Sequence, residues 1–93
     1  MGLVQAKREQ ILRLARRHGV TRVRVFGSMA RGDAGPQSDV DLLIDVGTDP
    51  SAWFPGGLVA EFEGLLGRRV QVVTERGLDE LLRDSVIEEA IPL

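Results

Sequence analysis

The residues best suited to chemistry lie between Gly27 and Asp45. Val25-Phe26-Gly27-Ser28 reads as a strand turning into the start of a helix, where free backbone N–H groups and the positive end of the helix dipole favour a bound phosphate. Gly27 would let the anion approach the backbone, and the Ser28 hydroxyl could donate to it. Eleven residues after Ser28, Asp39 and Asp41 stand at i and i+2, so on an extended strand both carboxylates project from one face. Two such acids beside a phosphate cradle make a magnesium site, because Mg²⁺ takes one or two protein carboxylates and completes its shell with water and substrate phosphates. Each element alone has an ordinary structural reading, as a strand-to-helix cap or as the wet face of an antiparallel strand. The pair is harder to explain that way, since acids are disfavoured in strands and costly if buried unpaired.

The elements that must position these residues follow from hydrophobic period. Leu3, Val4, Ile11, Leu14 and Ala15 fall on one side of a helical projection, predicting one amphipathic helix from Leu3 to His18, ended by Gly19. Val20 to Phe26 alternates as a half-exposed strand; Ser28 is the expected N-cap of a single turn, Met29-Ala30-Arg31, that Gly32 breaks. After the Gly35-Pro36 turn, Asp39 to Val46 is the most strand-like run and the expected central strand. Gly47 to Gly57 reads as a loop, and positions 58, 59, 62, 65 and 66 follow helical spacing up to Gly67. Val70 to Val73 makes a third strand, and Leu78 to Ile91 supports one or two short helices stopped by Pro92. The order predicts an α/β (α+β) fold, a small mixed β-sheet packed with amphipathic helices, formed by residues 1–93 as a single domain.

Composition narrows the function. The 93 residues are 43% hydrophobic and 28% charged, close to the averages for folded domains. No apolar run exceeds three residues, so no membrane span is expected, and the charged N-terminal sequence does not read as a signal peptide; the expected location is cytoplasmic. With no cysteine and one histidine, thiolate, disulfide and multi-histidine metal chemistry is excluded. Charge divides along the chain, with eight basic and two acidic residues over 1–37 against four basic and twelve acidic over 38–93. The division reads as solvated helix faces rather than a nucleic-acid footprint, so direct nucleic-acid binding is not favoured. Trp53 and Phe54 fit either an interface anchor or a fold-back onto the core, with the core preferred, and His18 fits a partner for a helix C-terminus.

The run from Gly27-Ser28 through Ala30-Arg31-Gly32 to Asp39-Val40-Asp41-Leu42-Leu43-Ile44 resembles the Gly-Ser…Asp-x-Asp signature of the DNA polymerase β-like nucleotidyltransferase superfamily. Within it, the chain looks like the minimal nucleotidyltransferase (MNT) proteins, of which MntA-type antitoxins are the best-defined group. The likeness extends over almost the whole length. It implies the polymerase β-like fold and Mg-dependent transfer of a nucleoside monophosphate, most often AMP from ATP, to an acceptor hydroxyl. Carried over by position, Gly27 and Ser28 hold the triphosphate, while Asp39 and Asp41 ligate Mg²⁺, two ions if the site is fully active. Arg31 either orients the loop and neutralises phosphate charge or forms a surface salt bridge.

One departure from the family pattern concerns a third carboxylate, which the likeness places on the neighbouring strand where this chain has Gln71. An amide supplies neither the charge nor the proton acceptor, and Asp45 and Glu75 lie four residues away, ~13 Å along a strand. Weakened catalysis is the expectation. With no residues left for an acceptor-binding region, the acceptor is expected on a partner, which by resemblance is a HEPN-domain protein neutralised by modification or masking. Three functions follow: an active nucleotidyltransferase, a nucleotide-binding antitoxin that acts by complex formation, or a nucleic-acid-binding module using the basic first helix. A homo-oligomer is compatible with the open sheet.

Overall fold

The computed structural model describes residues 1–47 and 54–93. The chain runs α1 (Gly2–Ala6), α2 (Arg8–Arg17), β1 (Val20–Phe26), α3 (Ser28–Arg31), β2 (Val40–Val46), α4 (Gly56–Leu66), β3 (Val70–Val73), α5 (Glu80–Glu89) and β4 (Ile91–Pro92). The strands form one mixed sheet in the order β3-β2-β1-β4. β2 pairs antiparallel with β1, placing Phe26 beside Asp41 and Arg24 beside Leu43. On its other side β2 pairs parallel with β3, with Asp41 opposite Gln71. The parallel pair is joined through α4, as a parallel connection requires.

Because side chains alternate along a strand, the sheet has two chemically different faces. Val23, Val25, Val40, Leu42, Ile44 and Val70 point to the first, where they meet Ile11 and Ala15 of α2 and Leu58, Phe62 and Leu66 of α4. The four-residue spacing of these helical positions keeps them on one stripe, and all are buried. Arg22, Arg24, Phe26, Asp41, Asp45 and Gln71 have the opposite parity. Along this second face α5 is tied through Arg83, whose Nε donates to the Glu75 carbonyl at 2.9 Å, and Glu89, which reaches β1.

The structure corrects the sequence reading in three places. The expected first helix is two helices broken at Lys7 (φ −108°, ψ 13°), whose N–H is shared between the Leu3 and Val4 carbonyls at 3.3 and 3.2 Å. Between the buried Val4 and Ile11 the only apolar residue is the exposed Ala6, so no packing holds the axis straight there. The last helix ends at Glu89, short of the expected Ile91, with Ala90 extended, and Ile91–Pro92 then adds the short strand β4 beside β1. Proline is tolerated there because an edge strand can spare the N–H. Gly27 caps α3 in place of Ser28, which is its first helical residue and makes no capping bond through its side chain.

Phe54 packs partly buried against the core, while Trp53 lies outside the described residues. His18 caps α2 and is buried, with Nε2 3.1 Å from Glu61 Oε1 on α4. Among the described residues no helix is long and apolar enough to cross a membrane.

Candidate functional site

At the end of β1 the chain turns sharply through Gly27, whose φ of 74° and ψ of −154° belong to a region essentially reserved for glycine. A second constraint acts at the same atom. A Cβ on Gly27 would collide with the Asp41 carboxylate and lie 3.1 Å from its Cγ. Glycine here lets the β1–α3 turn sit directly against the acid on β2. Asp39 immediately precedes β2 and is exposed, and Asp41 is half-buried one pleat further on.

The loop leading to Asp39 is pinned rather than loose. The Ser38 hydroxyl accepts from the Gly35 N–H at 2.7 Å, and the Ser38 N–H donates back to the Gly35 carbonyl at 3.2 Å. Arg68, just past α4, donates through Nη1 to the carbonyls of Gly35 at 3.0 Å and Ser38 at 3.3 Å. The Val40 N–H bonds the Arg69 carbonyl at 2.9 Å and fixes the start of β2.

These elements surround a cleft of about 470 Å³, within the size range of small-molecule sites. All five residues assigned from sequence, Gly27, Ser28, Arg31, Asp39 and Asp41, line it, and so does Gln71. Phe26, Ser38, Val86 and Glu89 complete the walls. Asp45 and Glu75 do not line it. They are engaged by arginines instead, Asp45 by Arg22 at 2.8 Å and Glu75 by the buried Arg24 at 2.6 Å. A second cleft of about 310 Å³, walled by Gly67, Arg68 and Arg69, shares Ser38 and Asp39 with the first.

Burial, and next the neighbouring Asp39 carboxylate, push the Asp41 pKa above its usual value; Arg31 opposes this, and Glu89 adds a smaller push upward. A cation between the aspartates would relieve that repulsion. Among the described residues no three His, Cys, Asp or Glu side chains are grouped to hold a metal ion. A pair of carboxylates would suit Mg²⁺, which keeps water and phosphate in its remaining positions.

Sequence reasoning missed Ser38, Arg68 and Glu89. Glu89 carried a readable signal: α5 ends in Glu88 and Glu89 with no basic residue in its last turn, against the preference of a helix C-terminus for positive charge. The carboxylate is held from outside the helix, with Oε2 accepting from the Gly27 N–H at 2.7 Å and Oε1 from Arg31 Nη1 at 3.0 Å. The Gly27 bond, followed by that to Arg31, keeps the Glu89 pKa below its usual value. Arg31 also pairs with Asp33 at 3.2 Å, so its surface salt bridges are present within the cleft wall.

Residues 7–93 match the family model for the nucleotidyltransferase domain. The chain belongs to this family. It is 35% identical over 91 residues to a candidate protein adenylyltransferase of Methanocaldococcus jannaschii, covering 98% of this chain and 97% of that one. It is 38% identical over 78 residues to the protein adenylyltransferase MntA of Thermococcus cleftensis, covering 84% and 79% of the two chains. A solved structure described as a candidate minimal nucleotidyltransferase superposes with a TM-score of 0.84 at 50% identity, over 97% of this chain and 92% of that one. A toxin–antitoxin crystal structure with AMP-PNP shares the fold at a TM-score of 0.75 and 20% identity, over 90% and 69%. Within the nucleotidyltransferases, the chain is of the minimal, MntA type.

Proposed function

We propose that the chain transfers an adenylyl group from ATP to a hydroxyl on a partner protein and serves as the antitoxin of a HEPN/MNT pair. The observation that carries this reading is the meeting of Gly27, Asp39 and Asp41 in one cleft, with Gly27 shaped to bring backbone against the acid. The names of the two relatives, both protein adenylyltransferases, support the reaction class. Gly27, Ser28 and Arg31 bind the triphosphate, and Asp39 and Asp41 hold Mg²⁺. The metal, when bound, neutralises phosphate charge and polarises the α-phosphate.

The acceptor oxygen forms a bond to the α-phosphorus while the bond to the bridging oxygen of the β-phosphate breaks, releasing pyrophosphate. The acceptor proton leaves to solvent, because Gln71, opposite Asp41, is an amide and cannot take it. Transfer is therefore slow. The same residue supports a second reading, in which the chain binds nucleotide and neutralises its HEPN partner by complex formation alone.

The two readings separate on transfer from α-labelled ATP with Mg²⁺ to the HEPN partner. The first expects slow labelling by the unmodified chain, none by Asp39→Ala, and at least about tenfold more by Gln71→Asp, where a proton acceptor is restored. No label from the unmodified chain, with neutralisation intact in Asp39→Ala, favours the second. A failure of Gln71→Asp to label sinks the assignment of position 71.

A further inference from the structure

Glu89 holds two of the three residues that the nucleotide reading gives to phosphate, Gly27 and Arg31. Its carboxylate oxygens accept from the Gly27 N–H at 2.7 Å and from the Arg31 guanidinium at 3.0 Å. A carboxylate shares with a phosphate the negative charge and the multiple acceptor oxygens that such a pair of donors recognises. Its position is not a by-product of helix chemistry, because a negative side chain at the end of α5 opposes the dipole of that helix. It also adds a third acid to a wall already holding Asp39 and Asp41, which makes Asp41 harder to ionise.

The carboxylate is delivered by anchored chain on both sides. Upstream, Arg83 donates to the carbonyls of Glu75 at 2.9 Å and Leu78 at 3.1 Å. Downstream, Ile91 and Pro92 pair with β1, and the Leu93 N–H bonds the Val23 carbonyl at 3.0 Å. Yet the Glu89 side chain retains 25% of its exposure, so it can rotate away without unpacking the core.

We propose that Glu89 is an internal phosphate surrogate: in the free chain its carboxylate fills the triphosphate position at Gly27 and Arg31, and nucleotide binds by displacing it. This inference rests on the nucleotidyltransferase reading of the cleft. Its consequence is a lowered nucleotide affinity, since only molecules with Glu89 swung out are competent to bind.

The test is calorimetric titration of AMP-PNP with Mg²⁺ into the unmodified chain and into Glu89→Gln, which keeps size and loses charge. Glu89→Gln is expected to bind about tenfold more tightly, the scale of one charge-assisted hydrogen bond no longer to be broken. Equal or weaker binding by the variant overturns the surrogate and makes Glu89 a support for the turn, leaving the nucleotide site itself standing. Absence of binding by both chains overturns the nucleotide reading and this inference with it. Independently of any variant, the side-chain carboxyl ¹³C signal of Glu89 in the unmodified chain is expected to move when Mg²⁺ and AMP-PNP saturate the site. A signal that stays in place at saturation overturns the displacement.

Discussion

The two faces of the sheet are built from alternate residues of the same strands, yet they obey opposite rules. On the first, Val40, Leu42 and Ile44 are almost wholly buried beneath α2 and α4 within one apolar cluster. On the second, Asp41 is half-buried beside Asp39, and burial followed by that neighbouring carboxylate disfavours its charged form and raises its pKa. The first face holds the chain together and the second spends part of that stability on an arrangement that a cation would relieve. Leu43 marks how closely the two regimes adjoin, for it has the parity of the aspartates and is fully buried between them and Asp45.

The contrast breaks if substitutions on the two faces do the same thing. The largest effect is expected from Asp41→Asn, which should lower label transfer at least about a hundredfold. It should also leave the melting temperature equal or raise it by a few degrees, because a group with a raised folded pKa is destabilising when ionised. Phe62→Ala on the first face reverses the pattern: an expected loss of about 3–5 kcal/mol in denaturant melts, with transfer per folded molecule retained. Gly27→Ala touches both regimes, costing on the order of 1–3 kcal/mol from backbone conformation and displacing Asp41, so that Mg²⁺–AMP-PNP binding is lost in calorimetry.

The smallest effect concerns pH. Glu89 has a lowered folded pKa, so its contribution is present above the ordinary glutamate range and disappears as pH falls through the folded value. Glu89→Gln should flatten that acid limb of the stability profile slightly, measured as melting temperature against pH.

Strong local period made much of this legible in the sequence. The alternation in Val20–Phe26, the strand-like run over Val40–Val46 and the spacing of Leu58, Phe62 and Leu66 located three of the elements directly. The i and i+2 aspartates placed both acids in the cleft that Gly27 approaches. What escaped was either too short or too distant. A two-residue strand has no period, so β4 was read only as the end of a helix. The break at Lys7 depends on missing packing between Val4 and Ile11, which a helical projection cannot register. Arg68 reaches Gly35 across 33 positions and Glu89 reaches Gly27 across 62, and no local pattern encodes such bonds. The misplaced cap has a local cause: Ser28 is a good capping residue by type, but the collision between a side chain at 27 and Asp41 reserves the turn for glycine.

The central claim is that Asp39, Asp41 and Gly27 form one cation-and-triphosphate site. A crystal structure of the chain with Mn²⁺ and AMP-PNP, phased to show the metal by its anomalous signal, tests it most directly. The expected result is a manganese peak at the Asp39 and Asp41 carboxylates with the triphosphate against the Gly27–Ser28 backbone. Manganese away from both aspartates, or a triphosphate seated in the neighbouring cleft of Arg68 and Arg69, would contradict it.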